Sequence, residues 1–132
     1  MILVDSSVWI DFFRGRQDAR VDRLVQAIAD RQALIGDLIL TEVLQGVADD
    51  KQFAELALFF SKIRPIRIVD QNIALQAARH YRTLRARGIT VRKTIDTLIA
   101  TRCIADGIAL LYSDRDFDAF AEHLGLRSAL AA

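Results

Sequence analysis

Four short, mostly apolar runs constrain this chain more than any other feature: residues 2–4, 33–36, 66–69 (interrupted by Arg67) and 108–112. Each has the length of a strand, and residues 2–4, 33–36 and 108–112 lack the alternation of a strand with one wet face. Strands that are apolar on both sides belong to parallel sheets covered by helices on both faces. The segments between them have helical periodicity. Asp18 opens one with Val21, Leu24, Val25 and Ile28 on one face. Asp37 is placed to cap another with Leu38, Ile39, Val43 and Leu44, and residues 51–63 carry Phe53, Leu56, Phe59 and Phe60 at helical spacing. Pro65 interrupts that pattern ahead of the third strand. A helix over 73–87 stops at Gly88, Thr94 caps the next, and residues 116–124 form a short last helix before a possible strand at Leu126. The alternation gives an α/β fold, a three-layer αβα arrangement around a mostly parallel central sheet. In such folds ligands bind beyond the carboxyl ends of the strands.

A hydrophobic fraction of 52% and a mean hydropathy of +0.20 suit a packed core and argue against disorder. With one Pro, six Gly and no repeat or linker-like stretch, residues 1–132 read as a single domain. The N-terminus is apolar for only four residues before Asp5, too short for a signal peptide. No uncharged apolar run approaches the roughly 20 residues that span a bilayer, so no membrane partner is expected. A lone cysteine, Cys103, allows no intrachain disulfide and fits a cytoplasmic location. His80, His123 and Cys103 are too scattered for a zinc site. Any metal would be held by oxygen, which points to magnesium or manganese.

Among 17 acids, position singles out four. Asp5 ends the first strand and Asp114 follows a late one. Asp96 lies in the first turn of a helix, and Glu42 sits beside an apolar helix face. Each alone has a plain structural role, as a cap, a turn residue or a solvated side chain. Together they suggest more, because clustered carboxylates repel unless a cation neutralises them. Acids without a matched His or Cys are what divalent-metal phosphodiester chemistry uses.

The segments around these acids resemble PIN domains. Val4-Asp5-Ser6-Ser7-Val8-Trp9 is similar to the opening strand and turn, Thr41-Glu42-Val43-Leu44-Gln45-Gly46 to the second acidic motif, and Asp96-Thr97-Leu98-Ile99-Ala100 to the third. Leu110-Leu111-Tyr112-Ser113-Asp114-Arg115-Asp116-Phe117 resembles the fourth. The order spans nearly the whole chain, and its compact length most resembles the VapC-type toxins of toxin–antitoxin pairs. The resemblance implies a Mg2+- or Mn2+-dependent endoribonuclease, hydrolysing RNA phosphodiester bonds with activated water. It also implies a homodimer and a cognate antitoxin protein. It makes Asp5, Glu42 and Asp96 metal ligands and catalytic residues, with Asp114 the fourth; Asp116 is an alternative at that position. Tyr112 stands where many relatives have a small hydroxyl residue. Ser6 is a partner that supports the ligands.

The positive charge is mostly arginine, 15 against three Lys, and arginine suits bidentate contact with phosphate. Between Asp70 and Asp96 there is no acid, and Arg79, Arg82, Arg85, Arg87, Arg92 and Lys93 supply six positive charges. Arg79, Arg82, Arg85, Arg92, Lys93 and also Arg115 are therefore candidates for RNA phosphate contact, against the plainer reading of a solvated helix face. Trp9 and Phe13, four apart, either pack in the core or line a groove for an antitoxin helix. Cys103 reads as buried and inert. The alternative to catalysis is a silent PIN-like module that binds RNA or protein. A receiver-type phosphoacceptor is disfavoured because Asp5 stands alone and no Lys follows Lys93. An Asp-x-Asp phosphatase is disfavoured because residue 7 is Ser. A DNA nuclease would share the same metal chemistry.

Overall fold

The computed structural model describes residues 1–130. Strand β1 (Ile2–Val4) leads into α1 (Ser6–Phe13) and α2 (Ala19–Ala29). Strand β2 (Ala33–Gly36) is followed by α3 (Asp37–Gln45) and α4 (Asp50–Phe60). Strand β3 (Arg64–Ile66) is followed by α5 (Gln71–Ala86) and α6 (Thr94–Asp106). Strand β4 (Ala109–Leu111) leads through a 3-10 turn (Arg115–Phe117) to α7 (Asp118–Leu124). The strand order is β3-β2-β1-β4, and all three pairings are parallel. Every residue of β1 and β2 is buried, as expected for strands covered on both faces. Helices α1 to α4 contact one another in succession or through α3, while α5 packs on α6 and α7. Among the described residues, no helix is long and apolar enough to cross a membrane.

Two strand expectations need correction. The third strand is not 66–69 but Arg64–Ile66, with Pro65 inside it opposite Ile35. Proline is tolerated there because β3 is an edge strand, where a missing N–H breaks no inner ladder. Ile68 is buried, but it belongs to the core rather than to a ladder: its N–H donates to Asp37 Oδ1 at 3.0 Å. The last strand at Leu126 reduces to one bridge, Leu110 to Ser128. Helix bounds shift as well: α4 ends at Phe60, α5 starts at Gln71 and α7 at Asp118. Gly36 rather than Asp37 caps α3, and Lys93 rather than Thr94 caps α6, neither through a side-chain hydrogen bond.

Gly36 sits where β2 hands over to α3. A Cβ there would lie 2.7 Å from Ile68 Cδ1 and 2.9 Å from Ile68 Cγ1. Ile68 is fully buried and cannot swing aside into solvent. Gly36→Ala is therefore expected to cost about 1–3 kcal/mol by overpacking, read as a lower urea midpoint with an unchanged slope. An unaltered midpoint would mean that Ile68 has room to shift.

Candidate metal centre

The acids meet at the carboxyl ends of β1 and β4. Asp5 follows β1 directly, its N–H donating to Leu111 O at 2.9 Å. It also caps α1: Asp5 Oδ2 accepts from the N–H of Ser7 at 3.2 Å and from its hydroxyl at 2.6 Å. Only 3% of Asp5 is exposed. Burial raises its pKa, the Ser7 hydrogen bonds counter the rise, and the charge of Asp114 adds to it. So the capping role and the site role fall on one side chain.

Glu42 projects from α3 and is half-buried. Its Oε1 accepts from the Ser6 hydroxyl at 3.3 Å. Its pKa is raised, first by desolvation and then by the charge of Asp5. Asp96 lies in the first turn of α6 and is 4% exposed. Its Oδ2 has no hydrogen-bond partner. Desolvation, then Asp5, with further contributions from Asp114 and Glu42, pushes its pKa up to about 7 from the usual 3.8, against the opposing charge of Lys93. The structure therefore brings Asp5, Glu42, Asp96 and Asp114 within each other's electrostatic reach.

Asp114 caps the 3-10 turn, with Oδ1 accepting from the N–H of Asp116 at 2.9 Å. One carboxylate oxygen each of Asp96, Asp114 and Asp116 lies within 4.8 Å of the others. Asp114 and Asp116 thus both reach Asp96, and the turn holds them together rather than choosing between them. An all-oxygen donor set with a buried, partnerless carboxylate oxygen fits a hard divalent cation.

Ser7, not singled out in the sequence, is the hinge of this edge. Its hydroxyl donates to Asp5 and accepts from the N–H of Ser113 at 3.3 Å, joining β1 to the loop after β4. The adjacent serines were the available signal, but not which of them faces which acid.

The basic candidates divide. Arg79, Arg82 and Arg85 are exposed along α5, with the Arg85 guanidinium 5.6 Å from the Tyr81 ring centre. Arg92 and Lys93 instead reach the acids, pairing with Asp116 and Asp114. Arg115 is exposed and makes no ion pair among the described residues. The groove reading fails for Trp9, which is 0% exposed. Its ring is enclosed by Phe12, Phe13, Phe59 and Phe60, so it belongs to the core. Phe13 is half-buried and lines a small groove of about 250 Å³ together with Ile10, Val43, Leu56 and Glu42.

Residues 2–123 match the PIN domain family. The chain belongs to that family. Relatives of this PIN domain include the VapC ribonuclease Mb1587 of Mycobacterium bovis and the ribonuclease VapC11 of Mycobacterium tuberculosis. Each is 33% identical over 132 residues, covering 98% of both chains. The PIN fold here is similar to that of VapBC2 from Rickettsia felis, solved bound to a promoter DNA fragment, with a TM-score of 0.76, 18% identity and 97% of each chain covered. It is also similar to a toxin–antitoxin complex from Klebsiella pneumoniae, with a TM-score of 0.70, 22% identity and 97% of each chain covered.

Proposed function

We propose that this PIN domain is a Mg2+- or Mn2+-dependent endoribonuclease, the toxin of a toxin–antitoxin pair. The observation that carries the reading is the buried, partnerless Oδ2 of Asp96 amid converging acids. Four carboxylates so placed are costly without a cation. The ribonuclease names of the 33% identical relatives point the same way.

Asp5, Glu42, Asp96 and Asp114 would hold the cation, with Asp116 beside them. A divalent ion so held supplies charge to phosphodiester oxygens and makes water more acidic. The chain's own residues do the rest. The Ser7 hydroxyl and N–H fix the Asp5 carboxylate through Oδ2, and the Ser6 hydroxyl donates to Glu42. Arg79, Arg82, Arg85 and Arg115 provide exposed charge for RNA phosphates, which fixes the position of the strand rather than its sequence. The protein acts as one domain, in the cytoplasm, as a homodimer. Its cognate antitoxin lies along the Phe13 groove, where a bound partner would also meet Glu42.

The test is cleavage of a structured RNA pool by the purified chain in Mg2+, Mn2+ or chelator, beside Asp5→Asn. Discrete metal-dependent products are expected from the wild type, with at least about a 10²-fold loss in the variant, the scale of removing one electrostatic stabiliser. Full activity in Asp5→Asn with metal still bound would overturn the assignment. No cleavage by folded, antitoxin-free protein would leave the binding-module reading.

A further inference from the structure

The loop over residues 88–93, between α5 and α6, carries two cations whose partners belong to the acid cluster. Arg92 Nη2 donates to both carboxylate oxygens of Asp116, at 3.1 and 3.2 Å. Lys93 Nζ lies 3.8 Å from Asp114 Oδ2. The pairs are unequal: the Arg92 and Lys93 side chains are 77% and 56% exposed, those of Asp116 and Asp114 only 18% and 28%. Lys93 also reaches further, and its charge opposes the raised pKa of both Glu42 and Asp96. Of the three acids whose oxygens converge, two are therefore met by the chain's own cations, while Asp96 keeps a partnerless oxygen.

The physical consequence is a competition. A cluster of acids with no counter-charge repels itself. A buried, rigid cation would relieve that repulsion but would shut out a metal. Exposed Arg and Lys on flexible stems relieve it weakly, because surface ion pairs are worth little. A divalent ion carries twice the charge to the same oxygens.

We infer that Arg92 and Lys93 are displaceable counter-ions of this site. They neutralise Asp116 and Asp114 before a divalent cation binds and give up those oxygens when it does. Metal affinity is then set against the protein's own cations. Once released, both side chains remain tethered at the site, where a phosphodiester would meet them. This rests on the metal reading of the acid cluster made under the proposed function.

The test is Mn2+ binding by the full chain without RNA, followed by calorimetry and by the electron paramagnetic resonance signal of free Mn2+. Four proteins are compared: wild type, Arg92→Gln with Lys93→Gln, Arg92→Lys with Lys93→Arg, and Arg115→Gln. Arg115 lies between the same two acids without pairing to either, so it reports lost charge without lost contact. The double Gln variant is expected to bind Mn2+ about tenfold tighter. Per charge removed, Arg115→Gln should have less than half that effect on a logarithmic scale, and the Lys/Arg exchange should stay near wild type. In chelator the double Gln variant should melt below wild type, and the gap should close in saturating Mn2+. An equal effect per charge from Arg115→Gln would reduce the result to general field and overturn displacement. A melting gap that persists in saturating Mn2+ would show that the pairs survive loading, and would overturn it too. If wild type and double Gln variant bind Mn2+ equally, only this inference falls. If none of the proteins binds Mn2+, the metal reading falls with it.

Discussion

Asp96→Asn is expected to lower metal-dependent RNA cleavage by at least about 10²-fold while making the chelator-treated domain more stable at pH 8. Both effects have one cause. The Asp96 carboxylate is 4% exposed, lacks a partner at Oδ2 and faces three other acids. Its pKa is therefore about 7 in the folded protein against 3.8 ordinarily. Below pH 4 the group is protonated in both folded and unfolded chains and does not affect stability. Between pH 4 and 7 the unfolded chain gives up the proton more readily, so folding stability falls as pH rises. Above pH 7 the whole penalty is in place. Asn keeps the shape and one carbonyl oxygen but removes the charge. Thermal midpoints in chelator should nearly coincide below pH 4, separate as pH rises through 5 and 6, and differ by several degrees in the variant's favour at pH 8. Mn2+ should raise the wild type at pH 8 and barely affect the variant. Wild-type cleavage by Asp96→Asn would remove this residue from the chemistry. A variant less stable at pH 8 would mean that carboxylate repulsion does not strain the site. The trade of stability for function follows where acids are gathered for a cation.

What could be read from the sequence depended on how local each feature is. Strands β1, β2 and β4 are contiguous apolar runs, so their positions follow from composition alone. Strand β3 does not, because Pro65 looks like a breaker until the sheet order makes its strand an edge. The four acids were legible from their places after strands and in first turns. Their coupling was not, since it depends on α3 and α6 bringing Glu42 and Asp96 to the end of β1. Ser6 is legible as a partner of the ligands and Ser7 is not, for a geometric reason. Neighbours on a helix point about 100° apart, so one meets Glu42 and the other meets Asp5 and Ser113. The basic run before Asp96 read as one surface. Folding splits it, leaving Arg79, Arg82 and Arg85 in solvent and turning Arg92 and Lys93 onto the acids.

Trp9→Ala should be the most destabilising single change, costing about 3–5 kcal/mol of the roughly 5–15 kcal/mol that holds a domain of this kind. Helix α1 is short, eight residues, with little stability of its own. What seats it is the Trp9 ring, 5.0 Å from Phe60, 5.9 Å from Phe59 and 6.2 Å from Phe13, centre to centre. Phe59 and Phe60 end α4, so this cluster ties the first helix to one some 50 residues away in the chain. The N-terminus of α1 is Asp5 with Ser6 and Ser7, and loosening the helix therefore loosens the acid cluster. A thermal midpoint lower by ten degrees or more is expected, with weaker Mn2+ binding in whatever fraction stays folded. Trp9→Phe separates packing from polarity. It keeps an aromatic ring in the cluster and removes the indole N–H, which is buried without a partner. Its cost should be less than half that of Ala, with Mn2+ affinity near wild type. Circular dichroism must follow both variants, since Trp9 is the chain's one tryptophan and the fluorescence signal leaves with it. A loss below about 1 kcal/mol for Trp9→Ala, far under the usual cost of emptying a buried aromatic site, would mean that α1 is seated by Val8 and the β1 junction instead. The acid cluster would then tolerate changes in the aromatic core.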